Sequence, residues 1–123
     1  MKGRLLMRKL NYKGQCEKRR VSKCKDVCKT YDQIQSAYSE YLQNDDEIVE
    51  FRCNVVIEEN IYEVNGEMYT SDFVCKKIDG TIMVRECVFR KHLTKPMTVK
   101  LLDASRKYWL KKGITNWGII TNE

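Results

Sequence analysis

Two carboxylates interrupt stretches of this sequence that are otherwise apolar and rich in β-branched residues. Asp72 lies within residues 69–75, and Glu86 lies within residues 82–89. An ionised carboxylate inside a buried strand is costly unless it is paired or bound to a cation. Asp79-Gly80, a strong tight-turn signal, separates the two stretches, so a β-hairpin can bring both acids to one point. The pattern therefore predicts two acids that meet inside a sheet.

Whether the acids meet depends on the length of the hairpin loop. A two-residue loop would place Asp72 opposite Cys87 and turn Glu86 to the other face of the sheet. A three-residue loop with a left-handed Gly80 places Asp72 directly opposite Glu86, with Cβ atoms about 5 Å apart. Like charges in that position repel each other, so a divalent cation would be a natural occupant. We predict the three-residue loop.

The first element that would position these acids is an amphipathic helix. Apolar side chains recur every three to four residues from 34 to 42, which predicts about three helical turns. Thr30 and Gln33 have the spacing of a capping box at its start. Glu40, a third acid of interest, lies at the border of the apolar stripe rather than on the open face of this helix.

The remaining elements are strands and a second helix. The run 81–89 is apolar on both faces, which indicates a central strand covered on two sides. Pro96 suits the first turn of the second helix, and Gly113 suits its end. Further strands are predicted at residues 48–57, 69–78 and 114–121, with an additional short β-rich run at 61–64 and a tight turn at Asn65-Gly66. The order of helix, three strands, helix and strand predicts an α/β fold with a mixed sheet flanked by helices on both faces.

Length and composition indicate one globular domain. The chain has 123 residues, of which 42% are hydrophobic, enough for a single core. Residues 30–123 hold the predicted elements, whereas residues 1–29 show no sustained apolar period and are expected to form a basic, largely irregular arm. No apolar run approaches the roughly 20 residues of a membrane span, and no secretory signal is recognised. We therefore expect a cytoplasmic protein with reduced cysteines and no membrane partner.

The charges are distributed unevenly along the chain. Residues 1–30 hold eleven Lys and Arg against two acids, and residues 31–65 hold nine acids against one base. The rest is basic again, and the formal net charge is +6. Basic clusters attract phosphate backbones through counterion release, so double-stranded DNA is the first partner to expect, with a solubilising tail as the alternative. The candidate DNA contacts are Arg19, Arg20, Lys23, Arg90, Lys91 and Lys95.

The six cysteines do not form a recognised metal motif. Cys24 and Cys28 are four residues apart, with Cys16 upstream and His92 as the only histidine. A structural zinc site usually has four ligands at closer spacings, so zinc is not predicted here. The other three cysteines fall within predicted strands and are expected to act as small core residues. They are Cys53, Cys75 and Cys87.

Several short motifs occur in an order that resembles one nuclease family. They are Tyr69-Thr70-Ser71-Asp72-Phe73, Arg85-Glu86-Cys87, Lys100-Leu101-Leu102-Asp103 and Trp117-Gly118-Ile119-Ile120-Thr121. Together they resemble the TnsA endonuclease N-terminal family. The upstream segment Ser36-Ala37-Tyr38-Ser39-Glu40 is similar to the opening helix of that family. The resemblance covers about residues 30–122.

The resemblance implies a fold, a cofactor and partners. TnsA belongs to the PD-(D/E)xK nuclease superfamily, which implies a restriction-endonuclease-like core and Mg²⁺ or Mn²⁺ bound by Glu40, Asp72 and Glu86. Such a cation polarises the scissile phosphate and lowers the pKa of the attacking water. The family also implies cleavage of the 5′ strands at transposon ends, together with a DDE-type transposase subunit and an ATP-dependent regulator.

One position departs from the family pattern. The family places a lysine two residues after the glutamate, where this chain has Val88. Lys95 or Lys100 of the second helix region could supply the missing charge, and Lys100 is the expected substitute. The alternative is a catalytically degraded relative that binds DNA or regulates a mobile element without cleaving.

Overall fold

The computed structural model describes residues 16–57 and 69–122. The described strands are β1 (Glu17–Arg19), β2 (Cys28–Thr30), β3 (Ile48–Val56), β4 (Thr70–Lys77), β5 (Ile82–Cys87) and β6 (Asn116–Ile120). The helices are α1 (Gln33–Asn44), a short 3₁₀ helix (Arg90–His92) and α2 (Pro96–Lys111). The predicted β-rich run at 61–64 and the turn at Asn65-Gly66 lie outside the described residues. No helix in the described ranges has the length and apolar character needed to cross a bilayer.

Strands β3 to β6 form one mixed sheet in that order, while β1 and β2 pair separately. The β3–β4 and β4–β5 pairs are antiparallel and the β5–β6 pair is parallel. A parallel pair needs a crossover connection, and α2 supplies it between β5 and β6. The predicted α/β fold with a mixed sheet and the order of helix, three strands, helix and strand is confirmed.

The two helices cover opposite faces of this sheet. On one face, Ile34 and Leu42 of α1 pack with Phe51 and Phe73. On the other face, Leu101 and other residues of α2 pack in a second cluster with β5. Each helix buries one apolar stripe, as the amphipathic patterns predicted.

The β4–β5 hairpin adopts the predicted three-residue loop. The Lys77 N–H donates to the Thr81 carbonyl oxygen at 2.9 Å, and Gly80 has a positive φ of 89°. Phe73 faces Arg85 in the resulting register. Continuing that register by one residue sets Asp72 opposite Glu86, which is the arrangement that the loop length predicted.

Helix α1 does not begin with the predicted capping box. Asp32 is the N-cap, and its Oδ1 accepts the Gln35 N–H at 2.8 Å. Thr30 instead belongs to β2, where it faces Glu17. The carboxylate of Asp32 lies closer to the free N–H groups of the first turn and caps them, so the Thr30–Gln33 prediction was wrong.

The segment before α1 is more ordered than its composition predicted. Residues 17–30 form the β1–β2 hairpin, and Cys24 and Cys28 are buried against α1 and β3. The expected irregular arm therefore does not extend to residue 29. Residues 1–15 lie outside the described part of the chain. Helix α2 agrees with its prediction, since Pro96 occupies its first turn and Gly113 follows its end with a φ of 84°.

Candidate functional site: a buried acid pair between two helices

The two acids lie where the β4–β5 pairing ends. The last backbone pair of the hairpin is Phe73 with Arg85. Beyond it, the Asp72 N–H donates to Glu86 Oε1 at 3.0 Å, and the Cys87 N–H donates to Asp72 Oδ2 at 2.8 Å. Each carboxylate thus accepts a hydrogen bond from the backbone of the opposite strand. These bonds replace the backbone hydrogen bonds that join the two strands up to Phe73 and Arg85.

Each acid also receives a hydrogen bond from a helix. Gln35 of α1 donates from Nε2 to Asp72 Oδ1 at 3.1 Å. Ser105 of α2 donates from Oγ to Glu86 Oε2 at 2.7 Å. The acid pair therefore connects both helices through the sheet. Asp72 is 1% exposed and Glu86 is 0% exposed, so the site lies in the interior of the domain.

Polar side chains on the α2 side extend the network. Trp117 donates from Nε1 to Ser105 Oγ at 3.0 Å, and Trp109 donates from Nε1 to Ser71 Oγ at 2.8 Å. The two serine hydroxyls lie 3.5 Å apart. Both indole N–H groups therefore bind serine hydroxyls of this network.

Glu40 is not part of this cluster. It is exposed, and its Oε1 accepts a hydrogen bond from Arg19 Nη1 at 3.1 Å. The side chain of α1 that reaches Asp72 is Gln35, which lies on the same helical face as the buried Ser39. Five residues correspond to about 1.4 helical turns, so Glu40 cannot share the direction of Gln35. The structure thus does not assemble the expected group of Glu40, Asp72 and Glu86.

The contact of Gln35 with Asp72 was not predicted from the sequence. A signal for it was present, because Gln35, Ser39 and Leu42 follow each other at steps of four and three residues and are all buried. Two polar residues on a buried helical face need hydrogen-bond partners in the core. That requirement points to a polar group in the sheet below them.

Neither the family lysine position nor the two predicted substitutes bring a positively charged side chain to the acid pair. Val88 is buried, and its N–H donates to the Ile120 carbonyl oxygen at 2.9 Å. Lys100 lies on the exposed side of α2, whereas Ser105 lies on its buried side and contacts Glu86. Lys95 is also exposed. The expected substitution of the family lysine by Lys100 is therefore not seen in this geometry.

The candidate DNA contacts fall into two groups. Arg90, Lys91 and Lys95 are exposed in the connection from β5 to α2. Slight burial lowers the pKa of the neighbouring His92, and the charges of Lys95 and Lys91 lower it further. The second group is at β1 and the following turn.

In this second group, Arg20 is exposed, but the other two side chains are engaged. Arg19 pairs with Glu40, and Lys23 donates from Nζ to the Asp45 carbonyl oxygen at 2.8 Å. Of the two candidate groups, the connection between β5 and α2 is therefore the one in which all three basic residues are exposed.

A separate cleft of about 810 Å³ lies beside α1. Tyr38, Tyr41, Arg85 and Phe89 are among the residues that line it. The Arg85 guanidinium is held there by the Asn116 side chain, which accepts from Nη2 at 2.8 Å. Neither acid of the buried pair lines this cleft, so the two features are distinct.

Two comparisons with known proteins found no match. No protein-family model matches this chain, and no curated protein matches it at a significant level. The expected likeness to the TnsA family accordingly rests on the sequence motifs alone.

Proposed function

We propose that this protein is a metal-dependent DNA endonuclease of the TnsA-like type, in which Asp72 and Glu86 hold Mg²⁺ or Mn²⁺. The observation that carries the proposal is the hairpin register, which brings the two acids together at the point where β4 and β5 stop pairing. The α/β arrangement with helices on both faces is compatible with a restriction-endonuclease-like core.

The chemistry of the acid pair suits such a cation. Mg²⁺ is commonly held by one or two carboxylates together with water and substrate phosphate. Each carboxylate oxygen of Asp72 and Glu86 accepts one of the hydrogen bonds described above. A bound cation would also relieve the repulsion between the two negative charges.

The surrounding residues would orient the acids. Gln35 and Ser105 hold the outer carboxylate oxygens, and the Cys87 N–H holds Asp72 from the opposite strand. Preorganised groups lose little freedom when a ligand binds. When bound, the cation would polarise a phosphate and acidify a water. Glu40 has no part in this set, because its side chain pairs with Arg19.

The exposed basic segment would bring DNA phosphates to this region. Arg90, Lys91 and Lys95 follow directly after β5, the strand that carries Glu86. Lys and Arg side chains neutralise phosphates and release condensed counterions. By resemblance, the substrate would be double-stranded DNA at transposon ends, and a DDE-type transposase subunit and an ATP-dependent regulator would be the partners.

A cleavage assay on supercoiled plasmid with Mg²⁺ or Mn²⁺ tests the proposal. We expect nicking by the wild type and at least about a hundredfold loss in Asp72→Asn and Glu86→Gln. Glu40→Gln serves as the matched control and should retain activity, because Glu40 lies outside the pair. Circular dichroism checks that each variant is folded.

The same variants allow a direct test of cation binding. Titration of Mn²⁺ followed by electron paramagnetic resonance should detect one site in the wild type and none in Asp72→Asn. Absence of both nicking and Mn²⁺ binding in the folded wild type would reject the endonuclease proposal.

A second candidate is a DNA-binding relative that does not cleave. The observation that favours it is the burial of both acids, at 1% and 0% exposure, together with a buried Val88 at the family lysine position. In this case the acids would serve as a structural cross-link between β4 and β5. The wild type would then bind duplex DNA in a salt-dependent manner, without nicking it and without binding Mn²⁺.

A further inference from the structure

The thiols of three cysteines from two separate segments of the chain lie close together. Cys24 lies in the turn between β1 and β2, Cys28 is in β2 and Cys53 is in β3. Their Sγ atoms all lie within 4.8 Å of one another. The Sγ atoms of Cys28 and Cys53 are 3.2 Å apart, and those of Cys24 and Cys53 are 3.9 Å apart. Within residues 16–57 and 69–122, this is the one group of three or more His, Cys, Asp or Glu with such spacing.

Backbone contacts on both sides of the cluster hold the thiols in place. Before Cys24, the Lys23 carbonyl oxygen accepts the Phe51 N–H at 2.8 Å. After Cys28, the Lys29 carbonyl oxygen accepts from Asn54 Nδ2 at 2.9 Å. The β1–β2 segment is thereby attached to β3 directly on either side of Cys53. The three side chains are consequently directed to one place by the backbone.

The cluster has a positive charge beside it. Arg19 faces Cys28 in the β1–β2 pairing, and its guanidinium also contacts Ser39. The buried Nε of Arg19 has no hydrogen-bond partner in the described structure. Its charge favours negative charge on sulfur, which is what a set of metal-bound thiolates would carry.

The surroundings of the three thiols shift their pKa values in different directions. The hydrogen bond from Cys53 lowers the pKa of Cys28 to about 7 despite burial, and Ser39 and the Arg19 charge act in the same direction. Burial is the main cause that raises the pKa of Cys24. Because Cys53 donates to Cys28, its own pKa is raised. Metal binding would replace the remaining protons, since thiolate is the ligand form.

We propose that Cys24, Cys28 and Cys53 bind Zn²⁺, which ties the β1–β2 hairpin to β3. Thiolates select soft or borderline cations, and a tetrahedral site with Zn–S bonds of about 2.3 Å places sulfur atoms about 3.8 Å apart. The separations of 3.2 and 3.9 Å lie on either side of that value. Three thiolates around Zn²⁺ carry one net negative charge, and the nearby guanidinium of Arg19, which also pairs with Glu40, offsets part of it.

The fourth ligand would be a water molecule. Cys16 is exposed and lies outside the cluster, and within residues 16–57 and 69–122 no fourth His, Cys, Asp or Glu joins the three thiols. The cation would stabilise the β1–β2 hairpin. Each of its two strands has three residues, and small segments often need a metal for stability. This inference does not depend on the proposed nuclease activity.

Metal content and cobalt substitution test the site in the full chain. The protein is purified under reducing conditions without a histidine tag, and zinc is measured by plasma mass spectrometry. We expect about one zinc ion per chain. In zinc-depleted protein, Co²⁺ should produce a thiolate-to-cobalt charge-transfer band and the strong visible absorption of a tetrahedral site, and Zn²⁺ should abolish both.

Single cysteine variants locate the site. Cys28→Ser and Cys53→Ser should lose the cobalt bands, while Cys75→Ser, which changes a buried cysteine outside the cluster, should keep them. If the first two variants do not fold, the wild-type spectrum still decides the question. A wild type with no zinc and no cobalt charge-transfer band would overturn the proposal. A Cys28–Cys53 disulfide in the wild type, detected by mass spectrometry under non-reducing conditions, would also overturn it.

Discussion

At the scale of residues, the Asp72–Glu86 pair has a structural task whether or not it binds a cation. Asp72 accepts from the Cys87 N–H and from Gln35, and Glu86 accepts from the Asp72 N–H and from Ser105. A buried N–H that loses its acceptor costs more than the bond itself contributed. The pair therefore stabilises the hairpin at the point where backbone pairing ends.

Removal of the Asp72 carboxylate should reveal this stabilisation as a lower free energy of unfolding. Asp72→Ala leaves the Cys87 N–H and the Gln35 amide without an acceptor, so we expect the free energy of unfolding to fall by about 3 kcal/mol. Asp72→Asn keeps an acceptor oxygen and should lose less. Urea denaturation measures both values. An Asp72→Ala variant as stable as Asp72→Asn would show that the hydrogen bonds of Asp72 contribute little.

Gln35 and Glu40 allow a comparison on one helix. Gln35→Ala removes the hydrogen bond to Asp72, and we expect it to cost about 2 kcal/mol. Glu40→Ala removes an exposed ion pair with Arg19, for which the expected change is within about 0.5 kcal/mol. Thermal and urea denaturation of both variants provide the measurement. Equal losses would mean that the buried contact of Gln35 is weaker than its geometry indicates.

The thiol of Cys75 provides a pH-dependent test. Burial raises its pKa to about 12 from an unfolded value of 9.0. The folded state keeps the proton longer than the unfolded state, so the contribution of Cys75 to stability is complete below pH 9 and falls as the pH rises toward 12. The stability difference between wild type and Cys75→Ala should therefore be about 1.4 kcal/mol smaller at pH 10 than at pH 8. An unchanged difference would contradict the raised pKa.

At the scale of elements, the loop of the β4–β5 hairpin sets the register on which the acid pair depends. Gly80 has a φ of 89°, a region that residues with a Cβ adopt only with strain. Asp79 supports the loop through Oδ1, which accepts the Thr81 N–H at 3.0 Å and the Thr81 hydroxyl at 2.7 Å. These bonds also hold the pKa of Asp79 below its usual value.

Gly80→Ala tests the contribution of this loop. No atom lies within 4 Å of the added Cβ, so the expected loss of about 1 kcal/mol comes from backbone strain alone. Gly118→Ala is the control, because its φ is not positive and the three atoms nearest to its added Cβ, all in the Arg85 side chain, lie 3.4 Å away, at ordinary contact distance. Urea denaturation compares the two variants. A larger loss in Gly118→Ala than in Gly80→Ala would contradict the strain argument.

At the scale of the whole molecule, the distribution of charged residues indicates which surface would contact nucleic acid. The exposed basic residues of the β5–α2 connection lie beside the carboxyl end of β5. On α2, by contrast, Lys107 and Arg106 are within ion-pair distance of Asp103. Basic residues without an acidic neighbour contribute more to phosphate binding than paired ones.

A salt titration of DNA binding tests this difference. Arg90→Ala/Lys91→Ala should weaken binding to any duplex and reduce the salt slope by roughly 2, because two phosphate contacts are lost. Arg106→Ala/Lys107→Ala is the matched control, in which two paired charges are removed, and its slope should change less. Fluorescence anisotropy at several salt concentrations gives both slopes. Equal slopes for the two variants would argue against a DNA contact at the β5–α2 connection.

Much of the fold could be predicted from local patterns. Side-chain periodicity predicted α1, α2 and strands β3 to β6 but not β1 or β2, because an element that buries one face must repeat its apolar residues at its own period. The sequence allowed a two-residue or a three-residue loop, and the three-residue loop with a left-handed Gly80 that we predicted sets the observed β4–β5 register. Asp72 and Glu86 were predicted to be neighbours for the same reason, since a hairpin register depends mainly on its own turn.

Other features depended on tertiary contacts. The rotation of α1 about its axis follows from the packing of Ile34 and Leu42 on the sheet, and that rotation directs Gln35 rather than Glu40 to Asp72. A border position in a helical stripe is compatible with either direction until the partner surface is known.

The cysteine cluster shows most clearly which features follow from the local sequence and which depend on tertiary contacts. The sequence by itself determined the residue types, the periodic elements and the hairpin that pairs two acids, all of which arise from neighbours along the chain. Only the tertiary structure brought Cys28 to Cys53, which are 25 residues apart. Contacts of that kind form because the β1–β2 hairpin docks on β3, and docking depends on the shape and hydrogen-bonding groups of both surfaces rather than on spacing along the chain.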